Sequence, residues 1–117
     1  MIMKLIHDRT QAVIASSVEL ALSRKARRTG LLGRAAMDPG AALVLAPCCA
    51  VHTAFMRFPI DVLFMDRTGR VMRVIHGLQP WRAAASVQAY AVVELAAGVL
   101  ARFDVGAGDR FRLEHQC

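Results

Sequence analysis

Four side chains able to carry charge, a proton or a soft ligand, His52, Met56, Arg57 and Asp61, interrupt the apolar run from Val51 to Asp66. A strand with only a structural role would fill such positions with Val, Ile and Phe, so these residues mark a candidate site. Arg57 can bind an anion, with Asp61 orienting its guanidinium across Phe58-Pro59-Ile60. Side chains at i and i+4 of a continuous strand share a face without touching, so the two meet only if the chain bends. Pro59 supplies a reason for a bend and also admits a cis peptide after Phe58. Read more plainly, Asp61 is a structural tie to an arginine or the cap of a turn. His52 can act as a general base, a metal ligand or a histidine hydrogen-bonded near a strand end, and the last is the commonest role. Met56, with Phe55 and Phe58 beside it, reads as a core filler.

Three further residues add to the constellation. Trp81 and Arg82 lie in Gly77-Leu78-Gln79-Pro80-Trp81-Arg82, a loop whose tryptophan either stacks a planar or sugar ligand or closes one end of the fold as a lid. Glu94 stands in the apolar run Tyr90-Ala91-Val92-Val93-Glu94-Leu95, where a carboxylate must face solvent, pair with an arginine or line a cavity. Facing one cleft, Glu94 and Asp61 would form an acid/base pair. No metal or other cofactor is expected, because the partners open to His52, namely Asp61, His76 and Glu94, lack a dedicated ligand spacing.

The elements that must hold these residues are short. Val13, Ile14, Val18 and Leu20 flank Ala15-Ser16-Ser17 and predict two strands around a turn. Ser23 caps a helical turn through Arg24-Lys25-Ala26-Arg27-Arg28-Thr29, with Gly30 as its stop. Basic residues in a first turn oppose the helix dipole, so solvent screening or an anionic partner must favour them. Asp38-Pro39-Gly40 is a turn, and Ala42 to Ala46 is a buried strand closed by Pro47. Ile60 to Met65, the turn Asp66-Arg67-Thr68-Gly69 and Arg70 to His76 form a hairpin whose return strand alternates poorly, which predicts a bulge or an edge. Tyr90 to Leu95 is another strand, Val99 to Phe103 one helical turn, and Gly106 to Asp109 turns the chain into a last strand, Arg110 to Glu114. Many short strands at this spacing predict a mainly β single domain, a sandwich or barrel with one or two short helices.

At 117 residues the chain can bury one core without a metal or disulfide staple, and with 56% hydrophobic but 6% aromatic residues that core is aliphatic. Of the net charge of +6, only Arg24, Lys25, Arg27, Arg28 and Arg34 cluster. No aromatics are interleaved with them to stack on bases, so the cluster reads as the solvated face of a helix and nucleic acid is an unfavoured partner. The first residues lack a secretory h-region, and the longest apolar run, Ala41 to Val51, is too short to span a membrane. A cytoplasmic location is therefore expected, with Cys48, Cys49 and Cys117 reduced and the first two serving as small core fillers.

Several strings in one order carry a family resemblance: Arg28-Thr29-Gly30-Leu31-Leu32-Gly33-Arg34, His52 through Asp66, Gly69-Arg70-Val71, Pro80-Trp81-Arg82, Glu94-Leu95-Ala96-Ala97-Gly98 and Gly108-Asp109. From about Val18 to Leu113 the chain resembles the DUF192 family, also called UPF0127, of uncharacterised small β-rich proteins. The resemblance implies a jelly-roll-like or barrel-like domain and brings no activity. Many members carry a secretion or lipoprotein signal that is not seen here.

Three functions follow as expectations. The first is binding of a small polar or anionic ligand by His52, Arg57, Asp61, Trp81, Arg82 and Glu94. The second is a hydrolase using His52 with Asp61 or Glu94, against which stands the lack of a serine-nucleophile motif, a phosphate loop or a metal signature. The third is an interaction module docking nucleic acid or an acidic protein through the basic helix. Neither an oligomeric state nor a particular ligand follows from these residues.

Overall fold

The computed structural model describes residues 2–116, so Cys117 lies outside the described residues. The elements in order are β1 (Ile2–His7), β2 (Ala12–Ala15), β3 (Ser17–Ala21), α1 (Arg24–Thr29), β4 (Ala41–Leu45), β5 (Ala50–His52), β6 (Ile60–Met65), β7 (Val71–Leu78), β8 (Ala83–Ala85), β9 (Ala91–Ala96), α2 (Val99–Arg102) and β10 (Phe111–Gln116). The domain is mainly β with two short helices, as expected. Its sheets have open orders, β3-β4-β9-β6-β7, β10-β1-β2 and β5-β8, and do not close into a barrel.

The central strands β4, β9 and β6 of the five-stranded sheet are buried on both faces, which is why β6 and β9 read as apolar runs broken only by Asp61 and Glu94. On one face Ala42, Val44, Leu63, Met65, Val93 and Leu95 pack against Leu5, Ile14 and Phe111 of the three-stranded sheet and against Val99 and Leu100 of α2. On the other face Leu43, Leu45, Val62, Phe64 and Val92 pack against Leu31 beyond α1, Val51 of β5 and Met56. Two cores thus share one sheet, and the second is covered by the segments that hold most of the candidate residues.

The β6–β7 hairpin forms as its sequence predicts, with Asp66 Oδ1 accepting the Thr68 and Arg70 backbone N–H groups. Gly69 has φ 85°, and a Cβ there would run into the Phe111 carbonyl oxygen. β7 is an edge strand, and its pairing with β6 slips twice. Ser23 Oγ accepts the Ala26 N–H at 3.0 Å, and Gly30 closes α1 with φ 47°. Arg27 answers the dipole conflict locally: its guanidinium turns back to donate to the Leu22 and Ala46 carbonyl oxygens.

Other expectations are corrected. The cis peptide is Ala46-Pro47, not the bond before Pro59. Cys49 is exposed and fills no core, while Cys48 is half-buried against the second core. β1, β5 and β8 were not anticipated. β1 pairs along its whole length with β10, and fully buried His7 fastens the two ends of the chain. Its Nε2 lies 2.9 Å from Asp109 Oδ2, its Nδ1 lies 3.0 Å from Thr10 Oγ1, and its ring stacks on Phe111. Asp109 also accepts the Gly106 N–H, so this supposed simple turn is a tie point.

Candidate functional site

β9 lies between β4 and β6, and Glu94 stands opposite Leu43 on one side and Val62 on the other. Paired residues of a sheet project from the same face, so Glu94 points into the second core. It is 4% exposed, and among the described residues no hydrogen-bond donor reaches its carboxylate. The group opens instead onto a cavity of about 300 Å³. Arg27, Arg28 and Leu31 roof this cavity, Leu45 and Cys48 form one side, and Val51, His52 and Met56 form the other. Burial pushes the Glu94 carboxyl up to about 7, with the more distant charge of Arg34 pulling weakly the other way. The group therefore exchanges a proton near neutrality.

Burial likewise raises the Cys48 thiol above its ordinary value, and the Cys48 Sγ–H donates to the Ala50 carbonyl at 3.1 Å. A protonated thiol is a poor nucleophile, so Cys48 serves as a wall of the cavity. His52 and Arg28 are exposed at the mouth.

Asp61 faces the other way. Its partner across the sheet is Leu95, and both belong to the first-core side. Fully buried, Asp61 accepts the Gly77 N–H at 2.8 Å with one oxygen, and the Gly98 and Leu100 N–H groups at 3.0 Å with the other. It caps α2 from a neighbouring strand and pins the end of β7. Among the described residues it forms no ion pair with Arg57, which is exposed on the 53–59 loop.

Trp81 and Arg82 sit beside that loop, outside the cavity lining. Thr53, fully buried, clasps the two loops: its hydroxyl donates to the Gln79 carbonyl at 2.6 Å and accepts the Arg82 N–H at 2.9 Å. Trp81 packs on Phe55 with ring centroids 4.5 Å apart and planes tilted by 60°. Of the six residues proposed from sequence, His52 and Glu94 share the cavity, Arg57, Trp81 and Arg82 lie on the adjoining loops, and Asp61 is on the opposite face. Sequence reasoning overlooked the Thr53 clasp and the place of Arg28 and Leu31 in the roof. A threonine among apolar residues is a weak signal, but the string from Arg28 to Arg34 was visible as a motif.

Among the described residues no three His, Cys, Asp or Glu side chains group closely enough to hold a metal. No described helix is long and apolar enough to cross a membrane.

No curated protein matches the chain. A crystal structure from Sinorhizobium meliloti 1021, of a protein described as a candidate transcription regulator, superposes with a TM-score of 0.82 at 25% identity, covering 94% of this chain and 90% of that one. A protein of unknown function from Novosphingobium aromaticivorans has the same fold, with a TM-score of 0.78 at 21% identity and coverage of 94% and 82%. The sequence profile of DUF192, described as an uncharacterised ACR, matches residues 5–113, and with nearly its whole length inside that match the chain belongs to the DUF192 family.

Proposed function

We propose that the domain binds a small polar or anionic molecule in the cavity beneath α1. Glu94 would serve as the hydrogen-bonding group at the floor, with Arg28 and His52 at the mouth. One observation carries this reading: a carboxylate 4% exposed, opening on a cavity, with no donor of the described residues in reach. The carboxylate oxygens open on the cavity, so a group from outside the chain rather than a protein donor must satisfy them. A cavity of about 300 Å³ suits a metabolite rather than a polymer. Its apolar walls, Leu31, Leu45, Val51 and Met56, would grip a short hydrocarbon portion. Arg28 favours an anionic end, and Glu94 a hydroxyl or amine. Arg57, Trp81 and Arg82 lie on loops outside this lining, and Asp61 would support the site only by holding the sheet in place.

The test is a thermal-shift screen with small hydroxy acids, amino acids and sugar phosphates, repeated on Glu94→Gln and on Leu31→Trp, which fills the roof. A ligand present at about 100 times its Kd stabilises by about 2.7 kcal/mol. Ligands that raise the melting temperature of the unmodified chain should lose the effect in both variants. Hits unaffected by either variant, or no hits at all, would sink the proposal.

The hydrolase reading has less support, since His52 makes no hydrogen bond with Glu94 and the histidine that does pair with a carboxylate, His7, is fully buried elsewhere. A regulatory role like that described for the Sinorhizobium meliloti protein would have α1 as its contact, with Arg24, Lys25 and Arg28 exposed, but no aromatic residue is interleaved with them in the sequence.

A further inference from the structure

Phe55 and Trp81 are 72% and 59% exposed and are packed on each other rather than on the core. Both have φ 65°, a left-handed backbone that residues with a bulky side chain rarely adopt. The Thr53 clasp enforces it, because the Thr53 carbonyl accepts the N–H groups of both Met56 and Trp81. Backbone strain is thus used to hold two large rings out in water, which no stability argument rewards.

The charge around the rings has one sign. From Val51 to Met65 and from Val71 to Val93 the one acidic residue is the buried Asp61, whereas Arg57 and Arg82 flank the pair and both are exposed. A neutral sugar would want carboxylates for its hydroxyls, and the two loops present no exposed acid; their one amide side chain, Gln79, turns back to donate to the Gly77 carbonyl. An open aromatic face with flanking guanidinium groups matches a base and its phosphates. Because a base offers its face only when unpaired from a duplex stack, the fit is to a single strand. We propose that the Phe55–Trp81 pair, with Arg57 and Arg82, is a docking platform for single-stranded nucleic acid, separate from the cavity under α1. The aromatic accompaniment lacking at the basic helix is present here.

The chain's one tryptophan is its own probe. A thymidine oligomer of about ten nucleotides should quench Trp81 fluorescence, whereas the same length of duplex and anionic phospholipid vesicles should not. Affinity should fall as salt rises, with a log–log slope of about −0.7 for each phosphate held. Measured with a fluorescein-labelled strand, Trp81→Ala and Arg82→Ala should each weaken binding about tenfold or more, and Trp81→Phe should retain most of it. Arg24→Ala with Lys25→Ala should change it little, and unaltered melting temperatures would show that the variants fold. No quenching, equal quenching by duplex or by vesicles, or loss at the helix variant with Trp81→Ala neutral would each overturn the platform. None of these outcomes bears on the cavity ligand, which Glu94→Gln tests separately.

Discussion

Asp61 and Glu94 occupy neighbouring strands of one sheet and point away from opposite faces of it. The offset of a single register position does this: Glu94 is across from Val62, and Asp61 is across from Leu95. Two carboxylates close in the fold are therefore divided by a layer of backbone and cannot share a proton or a substrate. Their environments differ as sharply. Asp61 is saturated by three backbone N–H groups, and Glu94 has none.

Glu94 should make the domain more stable in mild acid than at neutrality. Its carboxyl titrates near 4.5 in the unfolded chain and about 7 in the folded one, so folding takes up a proton between these values. Stability then falls as pH rises from about 4.5 to about 7, by roughly 3 kcal/mol at most, and stays low above. Glu94→Gln should remove this slope and raise stability at pH 8. Urea titrations at a series of pH values will show it, and equal slopes in the two proteins would contradict it.

Asp61→Ala should be among the most damaging substitutions in the chain. It strips three buried N–H groups of their acceptor at once and uncaps α2. With each unsatisfied group costing about 1–3 kcal/mol, a loss of at least about 3 kcal/mol is expected. Arg57→Ala, at an exposed position, should stay within about 0.5 kcal/mol. Comparable losses in the two variants would mean that the pair functions as a unit after all.

The hairpin, the α1 cap and stop, and the strands β4, β6 and β9 were legible in the residues because each is set by neighbours in sequence. Asp66-Arg67-Thr68-Gly69 carries its own turn chemistry, and Ser23 and Gly30 bracket their helix. β5 and β8 were not legible, since Ala50-Val51-His52 and Ala83-Ala84-Ala85 hold no pattern and form only by pairing with each other. β1 gains its place from β10, more than a hundred residues away in register. Asp61 and Glu94 stand out in the sequence as polar residues in apolar runs, and both are buried in the fold. Which face each would take depends on the register of β6 against β9, and no local signal encodes that.

The His7–Asp109 tie should weaken as pH drops. The Gly106 N–H, with Arg9 and His7, holds the Asp109 carboxyl below its ordinary 3.8, so its contribution is complete above that value and fades as the pH falls past it. Asp109→Ala leaves the buried His7 without its partner, a loss of about 1–3 kcal/mol at neutral pH. The gap between variant and parent should narrow at pH 3 in denaturant titrations. A gap that does not change with pH would assign the effect to the turn alone.

Gly69→Ala tests the contact between the hairpin and the last strand. The added methyl group meets the Phe111 carbonyl oxygen, and a φ of 85° is unfavourable to any L residue. Because Phe111 N–H also donates to the Gly69 carbonyl, the backbone cannot simply retreat. A loss of roughly 2 kcal/mol or more in calorimetry is expected, and a neutral result would show that the two backbones can separate freely.

α1 has six residues, none of them fully buried, and is held over the second core by Arg27 and by the half-buried Ala26. Lifting it exposes little apolar surface, while β9 beneath it can open only when the whole sheet does. Amide hydrogens of the helix should therefore exchange far sooner than those around Glu94, giving the cavity a door much weaker than its floor. A molecule bridging Arg28 and Glu94 would slow exchange in α1 first, and that local slowing would report occupancy before any change in overall melting.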